Sequence, residues 1–144
     1  MLQPVMSAAE IHAFWDEHFP QIRSAPVTEV VSVGAGEVLV RLTPDDRHLR
    51  PGGTVSGPTL FTLADVAAYA VLLAHVGPVP LMVTTSMTMN FLRRPPLGPI
   101  LGNCRILKLG KRLAVVEVGI RSETGGDLVA HATGTYSIPP TTVG

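Results

Sequence analysis

The sequence predicts an α+β domain: an antiparallel sheet curled around one long central helix, preceded by a short N-terminal helix. Two observations carry that reading. Pro58 to His75 is an apolar run with nothing to break a helix, and an apolar surface nearly all round marks a helix buried on most sides. Two β-rich runs precede it and four follow, divided by Gly- and Pro-containing turns, with no crossover that demands a parallel sheet.

Taken in order, Ser7-Ala-Ala-Glu10 has the pattern of a capping box, and Ile11, Phe14, Trp15, His18 and Phe19 follow at helical spacing. This predicts a short amphipathic helix ending near Pro20. Val27–Val33 and Glu37–Leu42 read as a hairpin around Gly34-Ala35-Gly36. Pro44 to Gly57 reads as a loop. Pro58 suits the first position of the long helix, because its missing N–H would have had no partner there. Leu81–Arg93, Ile100–Leu109, Leu113–Glu123 and Leu128–Ile138 read as a four-strand meander, with turns at 95–98, 110–111 and 124–126. Strand alternation sets Met82, Thr84, Ser86, Thr88 and Asn90 on one face of the first. Leu81, Val83, Met87, Met89 and Phe91 take the other face and are expected to pack on the helix.

Composition narrows the function. The 144 residues are 46% hydrophobic and only 15% charged, against roughly 25% charged in ordinary soluble domains. One domain over 1–144 is expected, with residues 1–24 as an N-terminal helical extension. The shortage of charge suggests that part of the surface is covered by a partner subunit. Eleven basic residues balance eleven acidic ones, so no basic excess favours nucleic acid. The balance is uneven along the chain: residues 1–90 hold four basic and eight acidic groups, and 91–144 hold seven and three. The single cysteine, Cys104, allows no internal disulfide and reads as a buried strand residue. No basic, apolar leader opens the chain, and the most apolar stretch, Val66 to Ala74, is far short of a membrane span. A cytoplasmic protein that does not enter a membrane is expected.

One residue conflicts with its surroundings. Asp65 lies inside the apolar helix, and Pro58, Thr62, Asp65 and Tyr69 fall within about 60° of one another on it. Burying an unpaired carboxylate costs several kcal/mol. Asp65 is therefore either a structural group satisfied by donors or a positioned base or nucleophile. Gly52 to Gly57 lead into the helix, whose N-terminus offers free N–H groups and the positive end of the dipole. Such an end can hold a developing oxyanion. Gly57 lies eight residues before Asp65, about 12 Å along the axis, so a ligand carbonyl engaging both must cross the helix or come from a facing subunit.

The stretch Gly53-Thr-Val-Ser-Gly-Pro-Thr-Leu-Phe-Thr-Leu-Ala-Asp65-Val-Ala resembles the G-x-x-H-G-G-x-x-x-x-L-x-D-x-A signature of hot-dog acyl-CoA thioesterases. These form the PaaI-like branch of the 4-hydroxybenzoyl-CoA thioesterase superfamily. Thr84 to Pro95, Gly110-Lys-Arg-Leu and Gly126 to Tyr136 resemble that family's later strands. The resemblance implies a hot-dog fold, a homodimer or a dimer of dimers, and hydrolysis of an acyl-CoA, with coenzyme A as part of the substrate and no separate cofactor or metal. It implies Asp65 as general base or nucleophile, Gly57 as oxyanion donor, and Thr84, with Ser56, as groups that orient water. Arg50, Gly53, Tyr69, Asn90, Arg93 and Arg94 fall at expected substrate-binding positions. The chain departs from the pattern at three places: Ser56 stands for the family His, Pro58 for the second Gly, and Arg50 for the usual Asn. Pro58 cannot donate a hydrogen bond, and Ser56 cannot act as an imidazole. A non-catalytic acyl-CoA-binding protein and an enoyl-CoA hydratase or dehydratase are the rival readings.

The remaining groups carry less. None of His12, His18, His48, His75 and His131 has a metal-ligand spacing partner. His131, between Ala130 and Ala132, is expected in the core, and no serine lies in a G-x-S-x-G turn. Arg93–Arg94 and Lys108–Lys111–Arg112 form two basic clusters separated by a strand of about 33 Å. Either could meet the nucleotide end of coenzyme A, and Arg50 could point toward Asp65 or into solvent.

Overall fold

Ser7 opens the first helix as expected. Its hydroxyl accepts the Glu10 N–H while the Glu10 carboxylate accepts the Ser7 N–H, closing a capping box on α1 (Ala8–His18). In this computed structural model residues 2–24 and 26–140 are described, so residues 1, 25 and 141–144 of the expected 1–144 domain lie outside. After Pro20 comes a single turn, α2 (Gln21–Ser24), and then the expected hairpin of β1 (Val27–Gly34) and β2 (Glu37–Thr43). The expected loop 44–57 holds a short 3-10 turn (Asp46–His48) and a small hairpin of β3 (Leu49–Arg50) and β4 (Thr54–Val55). Gly52 and Gly53 turn that hairpin at φ +100° and +76°, a conformation open to glycine and strained for other residues. Then follow α3 (Gly57–Val76), β5 (Val83–Phe91), β6 (Ile100–Leu109), β7 (Leu113–Ser122) and β8 (Leu128–Ser137).

The six long strands form one antiparallel sheet in the order β1-β2-β6-β7-β8-β5, and this corrects the expected four-strand meander. Of the four strands expected to form it, only β6, β7 and β8 run as consecutive neighbours; β5 pairs with β8 at the far edge. The reason lies in residues 92–99, which are too many for a tight hairpin and include Pro95 and Pro96, neither able to donate to a ladder. That connection is held instead by β4, where the Val55 N–H donates to the Pro95 carbonyl at 2.9 Å.

The expected faces of β5 are also revised. Its register against β8 shifts between Thr84 and Ser86, so Thr85 is an extra residue and the alternation reverses there. Thr84 consequently lies opposite Tyr136, on the same face as Met87 and Met89, which pair with core-facing Gly134 and Ala132. Ser86, Thr88 and Asn90 face outward. Leu81, Val83 and Phe91 are not buried against the helix as expected, being 72%, 55% and 54% exposed, although Phe91 touches the first residue of α3, Gly57. His131 is another correction. Ala130 and Ala132 point into the core, so with a period of two His131 points out and meets Glu117 at 3.4 Å.

α3 lies across β2, β6 and β7 and buries thirteen of its twenty residues. By length and composition it is long enough to cross a membrane, well beyond the nine-residue run read from the sequence, but most of it is buried against the sheet. Leu63, Leu72 and Leu73 are fully buried, each contributing about 1.5–3 kcal/mol. Gly102 of β6 lets the helix approach, since a Cβ there would stand 3.1 Å from Leu63 Cγ. At the far end His75 joins helix to hairpin: its Nδ1–H donates to the Val71 carbonyl at 2.7 Å and its Nε2 accepts the Gly36 N–H at 2.8 Å. His12 ties α1 to β1 in the same way, its Nε2 accepting the Val30 N–H at 2.8 Å beside the β1 bulge. Cys104 is fully buried in β6 as expected, and burial pushes its thiol up.

Candidate active site

Asp65 lies on α3 and is half-buried. Two hydroxyls converge on one of its oxygens. Thr84 Oγ1 donates to Oδ1 at 2.6 Å, and the Tyr136 hydroxyl donates to Oδ1 at 2.5 Å, lying also 2.9 Å from the Asp65 carbonyl. Thr84 can reach because the bulge at Thr85 turns it inward, and Tyr136 because it sits directly opposite on β8. The Tyr136 ring is 2% exposed. Burial, and next the Asp65 carboxylate, push its phenol well up, so it stays protonated and serves as a donor. With Oδ1 occupied twice, Oδ2 has no protein partner among the described residues.

Beside Asp65 opens a cleft of about 290 Å³, lined by Phe19, Ile22, Val66, Tyr69, Thr84 and Tyr136 together with the segment Pro80–Val83. Tyr69 lines this cleft, and its hydroxyl donates to the Pro80 carbonyl at 3.0 Å. Burial pushes the Tyr69 phenol up.

The N-terminus of α3 holds a second set. Ser56 caps the helix, its Oγ lying 2.7 Å from Thr59 Oγ1 and accepting the Thr59 N–H at 3.4 Å. This places it with Gly57 and away from Asp65. Gly57 N–H begins the helix with no protein acceptor among the described residues, as first-turn amides do. Gly57 lines a cleft of about 240 Å³ with Arg50, Thr54, Val55, Leu60, Phe91, Arg93, Arg94 and Pro95. Phe91 covers it closely, 3.5 Å from where a Cβ would stand. Arg50 is exposed and belongs to this cleft, so it does not point toward Asp65. Arg93 also donates to the Leu128 carbonyl at 2.8 Å.

Two expected site residues fall elsewhere: Gly53 forms the exposed β3–β4 turn, and Asn90 faces outward opposite His131. Asp45 and His48 close on each other in a surface turn, where His48 Nδ1 accepts the Asp45 N–H, and Arg47 holds the Asp45 carboxyl down at about 2. Among the described residues no three His, Cys, Asp or Glu side chains are placed to hold a metal. Tyr136 was missed as a site residue. Its signal was present: a large polar ring ends a row of small inward residues, Ala130, Ala132 and Gly134.

A carboxylate anchored by two donors, with a free oxygen at an apolar cleft, suits proton abstraction from water or attack on an acyl carbon. Comparison with known proteins identifies the family. Residues 52–129 match the family model described as "Thioesterase superfamily". A crystal structure of a "putative thioesterase" from Silicibacter sp. TM1040 shares 45% identity over 96% of either chain, with a TM-score of 0.88. A mutant structure of the phenylacetic acid degradation protein PaaI from Thermus thermophilus shares 28% identity over 82% of this chain and 98% of that one, at a TM-score of 0.69. A protein of Pseudomonas aeruginosa named "Putative esterase PA0474" is 33% identical over 83% of this chain and 93% of its own length. The helix, the sheet around it and these matches agree on one assignment: this chain belongs to the thioesterase superfamily, as a PaaI-like hot-dog thioester hydrolase.

Proposed function

We propose that the protein hydrolyses the thioester of an acyl-CoA, with the Asp65 carboxylate acting on the acyl carbon directly or through water. The observation that carries this is the double anchoring of Asp65 Oδ1 by Thr84 and Tyr136, which leaves Oδ2 for chemistry. In the water route, Oδ2 takes a proton as the water oxygen bonds to the thioester carbon. The carbonyl electrons move to an oxyanion, which a Gly57 N–H and the α3 dipole stabilise. Collapse restores the carbonyl, breaks the C–S bond and releases coenzyme A as thiolate, which takes up the proton. No cofactor takes part.

The Gly57 that serves a given Asp65 belongs to a second copy of the chain. Asp65 is bonded to Thr84 near the start of β5, whereas Gly57 lies under Phe91 at its end. Pairing β5 antiparallel with its own copy sets the Thr84 end of one strand beside the Phe91 end of the other. Each Asp65 then faces the partner's helix N-terminus. A homodimer completes two sites in this way, and a dimer of dimers repeats the unit. Arg50, Arg93 and Arg94 surround Gly57, which favours that basic cluster over Lys108, Lys111 and Arg112 for the phosphates of coenzyme A. Nothing in this mechanism needs a membrane or nucleic acid, and it suits a cytoplasmic enzyme acting on a small soluble substrate.

Replacing Asp65 with Asn is expected to lower kcat about 10²- to 10⁴-fold with the fold intact. Thiol release from a panel of acyl-CoAs measures this, and unchanged hydrolysis would refute the role. A second reading has its own support. Pro58 has no N–H and the Ser56 hydroxyl is spent on the cap, which favours an acyl-CoA-binding protein without turnover. Calorimetric affinity with no thiol released by the unaltered protein would establish that reading instead. Enoyl-CoA hydration without thiol release would point to a hydratase.

A further inference from the structure

The cleft beside Asp65 has a wall that the proposed chemistry does not use. Phe19, which caps the end of α1, and Ile22 of α2 reach it, and neither lies within the residues, 52–129, that match the family model. Val66, Tyr69, Leu81 and Met82 complete it. The Tyr69 ring is fixed on both sides, stacked 6.5 Å from Trp15, 6.4 Å from Phe19 and bonded through its hydroxyl to Pro80. No Lys, Arg or His lines the cleft among the described residues, and Asp65 is its one ionisable carboxylate. A second cleft, of about 240 Å³, shares Phe19, Ile22, Asp65 and Val66 with the first and extends to Pro26, Thr28 and Phe61. Phe19 and Ile22 are therefore a partition between two spaces that meet at the same carboxylate.

We propose that the 290 Å³ cleft is the acyl pocket, that it takes an uncharged, apolar acyl group of limited bulk, and that Phe19 and Ile22 set the limit. The proposal rests on the thioesterase reading above and names its substrate class. A cavity of about 150 Å³ takes up benzene, so this one holds an aromatic ring with a short linker, or a medium chain of similar bulk. Longer chains must pass Phe19, which stands 46% exposed at the partition. A chain ending in a carboxylate finds no cation there and meets Asp65.

The test measures kcat/KM along straight-chain acyl-CoAs from acetyl to palmitoyl, with adipoyl-CoA against hexanoyl-CoA. The same series is measured for affinity by calorimetry on an Asp65→Asn background. Each added methylene is expected to improve kcat/KM about fourfold until the pocket fills, after which the gain stops. Adipoyl-CoA is expected at least ~100-fold below hexanoyl-CoA. Phe19→Ala joins the two clefts and lowers the preference for hexanoyl over decanoyl by about tenfold, whereas Phe19→Trp raises it. A loss of folding would not move the optimum in opposite directions. A length profile blind to both Phe19 variants, a rise that continues through palmitoyl, or equal rates for adipoyl and hexanoyl would overturn the proposal. If no acyl-CoA is hydrolysed but affinity still follows chain length and Phe19, the hydrolase reading falls and the pocket stands. Hydrolysis with no such dependence gives the reverse.

Discussion

Tyr136→Phe tests the proposed anchoring of Asp65 with the least disturbance. The change removes one oxygen and keeps a ring that is 2% exposed and packed at the end of β8. What is lost is a single donor, 2.5 Å from Asp65 Oδ1. A hydrogen bond to a charged group is worth about 1.5–3 kcal/mol, or about 10- to 150-fold in rate if all of it is felt at the transition state. Thr84 still donates to the same oxygen at 2.6 Å, so the expected loss in kcat is near the lower end, about 10- to 30-fold. KM should stay close to unchanged, because the phenol orients the carboxylate and is not needed to hold the substrate. Water can reach the half-buried Asp65, so stability should fall by about 1 kcal/mol or less, about 2–4 °C in melting temperature for a chain of this size. Thr84→Val, alone and combined with Tyr136→Phe, completes the cycle. Two donors that act through one oxygen should couple by about 0.5 kcal/mol or more. A Tyr136→Phe enzyme within twofold of wild type, or a loss confined to KM, or strict additivity with Thr84→Val, would refute the positioning role.

Three further outcomes follow from the same geometry. His12 Nε2 accepts the Val30 N–H, and burial, followed by the nearby Arg23, lowers its pKa below the ordinary 6.5. The unfolded chain therefore binds that proton first, so the contribution is full above pH 6.5 and is lost as pH falls from there through the folded value. His12→Ala should cost stability at pH 8, and its gap from wild type in thermal melts should narrow by pH 5; a constant gap would contradict this. Gly102→Ala should destabilise by about 1–3 kcal/mol through overpacking against Leu63, read by denaturant midpoint, and an unchanged midpoint would refute the close approach. Sedimentation at micromolar concentration should give at least a dimer, and a stable, active monomer would remove the proposed two-copy site.

Different parts of this molecule were legible in the sequence for different physical reasons. α3 was legible because eighteen consecutive positions carry no breaker, Pro58 fits the first turn and Gly77 closes the last. The period-two pattern located every long strand to within about two residues but said nothing about partners, so β5 was set beside β6 when it lies beside β8. Pairing partners are chosen by the reach of the connections, and the Pro95-Pro96 crossing belongs to tertiary structure. The bulge at Thr85 was equally hidden, since Thr84-Thr85-Ser86 reads the same with or without an extra residue. Asp65 stood out because a carboxylate in an apolar helix is costly. Its neighbours Thr84 and Tyr136 are distant in sequence and meet it only through the β5–β8 register. The Phe19–Ile22 partition was unreadable for a similar reason: apolar residues at the end of an amphipathic helix look like core until their cleft is known.

The scarcity of charge has a location. β5 is an edge strand nine residues long, Val-Thr-Thr-Ser-Met-Thr-Met-Asn-Phe, without a single Lys, Arg, Asp or Glu. Edge strands left in water are normally protected by charge, proline or a covering element. The opposite edge, β1, obeys that rule: it carries Glu29, and α1 and α2 pack on it. β5 has no such protection, and Leu81, Val83, Phe91 and Leu92 along it are more than half exposed. A strand that invites pairing on one edge, and the two halves of the proposed machinery held at its two ends, have a common explanation in a self-paired β5. The bare edge and the separation of Asp65 from Gly57 are one feature under that proposal, because an edge closed within the single chain would leave each carboxylate without its proposed oxyanion donor.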